Sequence, residues 1–308
     1  MKLWAITCYW NAARFARRLH NYRVFREHLQ VPLLTVELSF ADGFDLAPPD
    51  ADRLVQLKGG SVLWQKERLL NVAARALPDS CENVAWLDAD ILFEDEDWSS
   101  RANEALEHSR LLQLFDRASA LGREEPRAPV GGGGPRKPVE SVLAASMGGR
   151  EVQDDLRSPM AWSLGQPANG LAWAARREFF DRVALYDACI LGSGDRALVC
   201  AALGVPELLQ PALRLSPAHM THYLCWASRF RDWLDCGYAF LRGTVFHLWH
   251  GQPEHRRIED RYDGLERFRF DPNRDVEPEP NGAWRWATDK RAMHEYVSGY
   301  FFSRMENG

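Results

Sequence analysis

No two cysteines form a C-x-x-C pair in this chain of 308 residues; the six, at 8, 81, 189, 200, 225 and 236, are scattered among mostly apolar neighbours. That spacing excludes a disulfide framework and is expected of reduced core residues in a cytoplasmic protein. Long apolar runs are also missing. The run from Met1 to Cys8 is short, and nothing later approaches the roughly 20 apolar residues that cross a bilayer. A soluble chain with no export signal and no integral membrane segment is expected. Excess positive charge is lacking too: 38 Lys and Arg against 43 Asp and Glu leave a formal net charge of −5. No overall field draws in a polyanion, so nucleic acid is excluded as a general partner. No internal repeat occurs.

What is present suits a folded domain. Hydrophobic residues make up 46% and charged residues 26%, and 12 Trp with 15 Phe can bury a substantial core, which excludes disorder of the whole chain. The length suits one large α/β domain or two small ones. Leu3 to Cys8 reads as a buried strand, and a helix over 13–28 follows, with Phe15, Leu19, Tyr22, Val24 and Phe25 near a 3.6 period. Leu33 to Leu38 is a second buried strand, Arg53 to Leu57 a short third, and Gly59-Gly60-Ser61 opens a helix over 62–77. Val84 to Leu87 is the next buried strand. Alternation at this spacing predicts βαβ units with right-handed crossovers and a largely parallel sheet, whose ligands gather outside the carboxyl ends of its strands.

Leu111 to Phe115 reads as a further strand, after which composition changes. Between 118 and 158 lie Gly131 to Gly134, Pro126, Pro129, Pro135 and Pro138, which predicts a mobile insert or lid rather than a packed element. Order is expected again from Met160-Ala161-Trp162. A strand over 170–174, a short helix over 176–183 and a tight turn at Gly192-Ser193-Gly194-Asp195 follow, the turn capping a helix over 196–203. Further helices are expected over 218–236 and 289–302, with a β-type run from Thr244 to Leu248 between them.

Asp88-Ala89-Asp90 stands at the end of an apolar strand, where two carboxylates cannot both be buried without a cation or donor partners. Mg²⁺ or Mn²⁺ is one explanation, since both accept carboxylates together with substrate phosphates; capping of the following turn is the other. On an extended chain His247 and His250 fall on opposite faces, so at most one is expected to bind a metal unless the chain turns at Trp249. Asp195, flanked by glycine, is a candidate general base and equally a helix N-cap. Thr7 to Asn11 and Trp64-Gln65-Lys66 lie beside strand ends or a helix start, where backbone N–H groups and a cation can hold phosphates. The arginine-rich first helix is expected to be a solvated face, and the cysteines packing residues.

Four blocks in order resemble the GT-A nucleotide-sugar glycosyltransferases, in their β-1,4-galactosyltransferase-like and polypeptide GalNAc-transferase-like branch. They are Trp64 to Ala73; Trp86-Leu87-Asp88-Ala89-Asp90; Asn169 to Ala174 through Gly192 to Asp195; and His247-Leu248-Trp249-His250. The resemblance spans about Leu3 to Arg261. It implies an α/β GT-A fold, a Rossmann-like mixed sheet flanked by helices in a single main domain. Residues 1–117 would form the nucleotide-sugar-binding half, 118–158 the flexible insert, 159–270 the acceptor-binding half and 271–308 a C-terminal tail and helix. It implies that Asp90 holds Mn²⁺ or Mg²⁺, with Asp88 at the same cation but nearer ribose and sugar, and that His250 completes the shell, His247 being the alternative. Asp195 is the implied base, and Thr7, Tyr9, Asn11, Glu37, Lys66, Asp88 and Gly170 the implied donor contacts. Two departures stand out: Arg196 follows Asp195 where the family usually has a second acid, and Lys66 replaces a phosphate-contacting arginine. The implied activity is metal-dependent, inverting transfer of a sugar from a nucleotide-diphosphate sugar, UDP-linked in most of the family, to a carbohydrate or lipid-linked glycan acceptor in polysaccharide biosynthesis. A nucleotidyltransferase and a non-catalytic nucleotide-sugar-binding protein are the alternatives.

Overall fold

The computed structural model describes residues 2–123, 137–159, 165–235, 237–258 and 260–308. The apolar runs Leu3–Trp10 (β1), Leu33–Ser39 (β2), Arg53–Lys58 (β3) and Asn83–Leu87 (β4) form the strands expected of them. β1 pairs in parallel with both β2 and β4, and β2 with β3. Helices Ala16–His28 (α1) and Lys66–Arg75 (α2) link these strands, α2 burying Leu69, Leu70, Ala73 and Ala74. The β4 chain continues into Ile91–Phe93 (β5), Trp98–Ala105 (α3) and Leu111–Gln113 (β6).

The sheet is mixed, in the order β10-β6-β9-β4-β1-β2-β3, because Ala172–Arg176 (β9) runs antiparallel to both β4 and β6. Tyr238–Phe240 (β10) closes one edge. β1 and β4 are central neighbours, so their carboxyl ends, Thr7 to Trp10 and Asp88 to Asp90, share one rim, where ligands of such sheets collect. A second sheet has the order β5-β11-β7-β8, with Arg117–Ala120 as β7, Val139–Glu140 as β8 and Thr244–His247 as β11. Asp88-Ala89-Asp90 is therefore the hinge at which the chain leaves the large sheet for the small one.

Two expectations change. The helix over 62–77 contracts to α2 because Gly59 and Gly60 take left-handed backbone (φ +103 and +75) and Gln65 is tied into a loop. Its amide bonds the carbonyls of Ser61 and Trp284 and the Trp284 N–H, joining this loop to the hairpin Val276–Pro278 (β12) and Trp284–Trp286 (β13). The described ends of the 118–158 segment are packed elements. β7 pairs with β11 and β8 with β7, and Val142–Met147 (α4), capped by the Ser141 hydroxyl, buries Val142, Leu143 and Ala145. Gln113 pins it, donating to the Ala168 carbonyl and accepting from Leu143 N–H. The glycine run Gly131 to Gly134 and the segment Met160-Ala161-Trp162 lie outside the described residues.

The remaining helices are Gln153–Arg157 (α5), Glu178–Arg182 (α6), Gly194–Ala202 (α7), Leu209–Leu213 (α8), Pro217–Leu234 (α9), Asp263–Glu266 (α10), Pro272–Asp275 (α11) and Arg291–Phe302 (α12). α9 buries Tyr223, Trp226, Phe230 and Trp233. The rings of Phe230 and Trp233 meet Phe179, which stacks on Trp86 of β4. Each fully buried ring of this kind contributes roughly 1.5–3 kcal/mol relative to exposure. Cys81, Cys189 and Cys200 are buried as expected and Cys8 is half-buried; Cys225 is exposed on α9, and Cys236 lies outside the described residues. Among the described residues no helix is long and apolar enough to cross a membrane.

Glu37 is structural. On β2 it is buried, and its carboxylate accepts from the N–H groups of Asp45 and Leu46 and from the Gln56 amide, which anchors the 39–47 loop and leaves it no surface toward a nucleotide. Glu37→Ala orphans these donors and is expected to lower the unfolding free energy by about 1–3 kcal/mol in urea titration. Unchanged stability would remove Glu37 from this role.

Candidate active site

The register of the small sheet builds the first half of the site. β11 pairs antiparallel with β5, setting His247 opposite Ile91, and the Leu248 N–H donates to the Asp90 carbonyl at 2.8 Å. Strand geometry stops at His247. The chain then turns through Gly251, whose φ of +95 lets it pack against the backbone of Met305 and Glu306. The expectation that the two imidazoles face apart is corrected by this turn, because both reach Asp90. Nδ1 of His250 lies 2.5 Å from one Asp90 oxygen and Nε2 of His247 3.6 Å from the other. The ligand atoms of all three residues lie within 4.8 Å of one another.

Burial pushes His247 down to about 3, and burial with Arg256 nearby lowers His250, so both rings are neutral near pH 7. Burial opposes ionisation of Asp90, but His247, His250 and Arg256 outweigh it and hold the carboxyl below its ordinary range. Neutral imidazoles and a carboxylate are the protonation states that a divalent cation requires. Nε2 of His250 is buried without a hydrogen-bond partner. The three side chains therefore fit a divalent metal. Asp88 does not join them.

Asp88 belongs to the second half, where the Lys66 ammonium, at the first residue of α2, is 2.5 Å from Asp88 and 2.8 Å from Asp195. Asp195 enters α7 from the turn Gly192-Ser193-Gly194, in which both Gly192 and Ser193 have left-handed backbone (φ +97 and +70). The turn is fixed by close approaches. Gly192 packs on the Trp64 ring, the Ser193 hydroxyl accepts from Arg261, and a Cβ at Gly170 would stand 2.7 Å from the Asp195 carboxylate. Gly170 thus serves Asp195 by lacking a side chain. The helix-cap alternative for Asp195 is not observed: Ser193 is the cap residue, and the Asp195 carboxylate bonds Lys66.

The other expected contacts divide. Thr7, Tyr9, Lys66, Asp88 and Gly170 line a cavity of about 290 Å³ with Asp90, Asp195, His247 and His250. The Thr7 hydroxyl donates to the Leu87 carbonyl and the Tyr9 hydroxyl to Asp45, so both are already committed. Asn11 is spent inside the protein, its amide bonding Tyr9 and both backbone groups of Phe15. Sequence reasoning missed the cations on the far wall, Arg18, Arg256, Arg261 and Arg304, and the acid Glu306. Arg18 corrects the expectation of a solvated first helix, since it turns inward to Glu306 and to the Trp10 carbonyl.

No protein-family model and no curated protein matches the chain. Solved structures do, at low identity. TarS of S. aureus in complex with UDP-GlcNAc is 11% identical with a TM-score of 0.42, covering 99% of this chain and 72% of its own. The mannosyltransferase PcManGT of Pyrobaculum calidifontis, in complex with GDP-Man and Mn²⁺, is 13% identical with a TM-score of 0.40 over 99% and 72%. A Drosophila β-1,4-galactosyltransferase 7 mutant with manganese, UDP-Gal and xylobiose is 11% identical with a TM-score of 0.38 over 95% and 98%.

Glu67, next to Lys66, has its carboxyl buried against Gly194, with one oxygen accepting from Trp64 Nε1 at 2.8 Å and the other without a hydrogen-bond partner. Burial, reinforced by Asp195 and opposed by Lys66, pushes its pKa up to about 8. The unfolded chain releases this proton near 4.5 and the folded one near 8, so folded protein binds more protons between those values and stability falls as pH rises through that window. Glu67→Gln keeps the shape without the titration. Its melting temperature is expected to match wild type near pH 4 and to exceed it at pH 8, as read by calorimetry across that range; parallel profiles would show that Glu67 is ionised in the fold.

Proposed function

We propose that the protein is a metal-dependent glycosyltransferase that moves a sugar from a nucleotide-diphosphate sugar, a UDP-sugar foremost, to a hydroxyl of a carbohydrate or lipid-linked glycan, with inversion. One observation carries this reading: a carboxylate with two neutral imidazoles and an independent acid, Asp195, line the same cleft at the carboxyl rim of the sheet. Asp90, His247 and His250 would hold the cation. Two imidazoles in the donor set favour Mn²⁺ over Mg²⁺, which prefers an all-oxygen shell. When bound, the metal would supply positive charge against the negative charge that develops on the departing diphosphate.

The protein's own groups do the rest. Asp195 accepts the proton of the acceptor hydroxyl as that oxygen attacks the anomeric carbon on the face opposite the leaving group. Lys66 occupies Oδ2 of Asp195, and Oδ1 carries no hydrogen bond among the described residues, so one oxygen remains for the acceptor. Asp88, drawn to Lys66 rather than to the imidazoles, lines the same cleft and would contact the ribose or donor sugar. The half-buried Trp64 ring beside Gly192 offers an apolar face to a sugar.

Asp195→Asn keeps the shape of the site and removes its base. Transfer is expected to fall by roughly 10²–10⁴, while Mn²⁺-dependent stabilisation by UDP in a thermal-shift assay persists. Loss of transfer and UDP binding together would refute the division of labour. In wild type, nucleoside diphosphate release that depends on an acceptor supports transfer. Pyrophosphate release from a nucleoside triphosphate would instead mark a nucleotidyltransferase, and metal-dependent binding without turnover a binding protein.

A further inference from the structure

The chain beyond α12 folds back over the cleft. Glu306 is buried and accepts from Arg18 through two nitrogens, and Nε of Arg304 lies 2.8 Å from Oε1, the oxygen that also accepts from Arg18 Nη2, as an ion pair. Asn307 ties the segment down on both sides, its side chain accepting from Arg17 N–H at the start of α1 at 3.1 Å and its carbonyl from Arg123 at 3.2 Å. Gly251 gives it room beside the histidine loop, as a Cβ there would stand 3.1 Å from Glu306 Cα. Arg304 and Glu306 thereby become walls of the same cavity as Asp90, His247 and His250.

Charge on this wall does not balance. Arg18, Arg256, Arg261 and Arg304 share it with Asp90 and Glu306, four cations against two anions, and a divalent ion at the Asp90 triad would add two further positive charges. Arg256 has no hydrogen bond or ion pair among the described residues, and its Nε is buried without a partner. Burial, then repulsion from Arg304, lowers its pKa to about 10. A desolvated, unpaired guanidinium is costly and is retained where an anion completes it.

Resting on the glycosyltransferase reading, we propose that Arg256 and Arg304 form a clamp for the diphosphate of the nucleotide ligand, and that Glu306, itself held by Arg18, is the positioning residue that aims Arg304 at it. Guanidinium forks match phosphate oxygens in pairs, and the clamp stands beside the metal triad, where a diphosphate bridges both. Anion and metal then each raise the other's affinity by the same factor.

The test measures binding of inorganic pyrophosphate and of Mn²⁺, separately and together, to the full chain by titration calorimetry. Arg256→Gln and Arg304→Gln are each expected to weaken pyrophosphate by roughly tenfold or more. Mn²⁺ alone should bind as well as before or better, because a like charge has been removed. These opposite signs separate a clamp from a merely structural arginine. Arg256→Lys, which keeps the charge and loses the fork, is expected to recover part of the affinity. Glu306→Gln is expected to weaken pyrophosphate even though it removes a negative charge; tighter binding would show that Glu306 only opposes the anion. Unchanged pyrophosphate affinity in both arginine variants, or joint loss of Mn²⁺ and pyrophosphate binding, overturns the clamp. Pyrophosphate carries neither sugar nor base, so a wild-type protein that binds it without transferring sugar refutes the transferase and leaves the clamp standing. Wild-type protein that does not bind it refutes the clamp whatever the turnover.

Discussion

One buried ammonium ties the cleft together. Lys66 leaves the start of α2 and is shared between Asp88, at the end of β4, and Asp195, at the start of α7. Its relative exposure is 8%, and the side chains of Asp88 and Asp195 are 25% and 22% exposed, so none of the three charges is freely solvated. Two carboxylates this close repel, and burial with that repulsion, opposed by Lys66, raises Asp88 to about 6. The ammonium is what permits both to stand in one site. Breaking such a buried pair typically costs about 3–5 kcal/mol, because it leaves an uncompensated charge. Three segments far apart in the chain are therefore held in register by one nitrogen.

The glycines around this nitrogen are explained by contact rather than by flexibility. Gly170 lets the Asp195 carboxylate lie over the backbone entering β9, and Gly194 leaves the space that the Glu67 carboxyl fills. With Ser193 held in left-handed backbone beside Gly192, the turn carries strain of order 1–3 kcal/mol. The Arg261 hydrogen bonds to Ser193 and Tyr300 offset it. A turn built this way aims one carboxylate and tolerates little else at its neighbours.

Much of this was legible in the sequence. The strands declare themselves as apolar runs, the D-x-D stands at the expected strand end, and the glycines before Asp195 mark the turn from which it enters the cleft. What failed had identifiable causes. Glu37 is an acid on a strand beside the nucleotide-type rim, yet two loop N–H groups, of Asp45 and Leu46, and the amide of Gln56 opposite it on β3 use up its oxygens. The histidine pair was split because alternation holds only while a strand continues, and β11 stops at His247. α4 was hidden by its composition-biased surroundings, although Val142, Leu143 and Ala145 carry a helical pattern. Arg18 and Glu306 are 288 residues apart, and no local pattern reports a contact of that span. Helix periodicity placed Arg18 on a polar face, and burial came from the returning chain.

The spacing of Asp88 and Asp90 accounts for more than metal affinity. With one residue between them, the two carboxylates leave the strand end for different partners: Asp88 goes to the ammonium and Asp90 to the imidazoles. A single residue fewer would crowd both onto one cation, and the pair would titrate as a unit. Separation lets Asp90 stay ionised while Asp88 sits near the middle of the pH range. It also keeps the Asp195 side of the cleft electrically distinct from the Asp90 side. On the first, an ammonium and two carboxylates leave a net negative environment, suited to holding a proton that departs from a hydroxyl. On the second, four arginines outnumber two acids, suited to an anion. On the proposed reading, the proton of an acceptor hydroxyl would go to the first side while the electron pair of the breaking anomeric C–O bond leaves with the diphosphate on the second, so the two charges part in opposite directions.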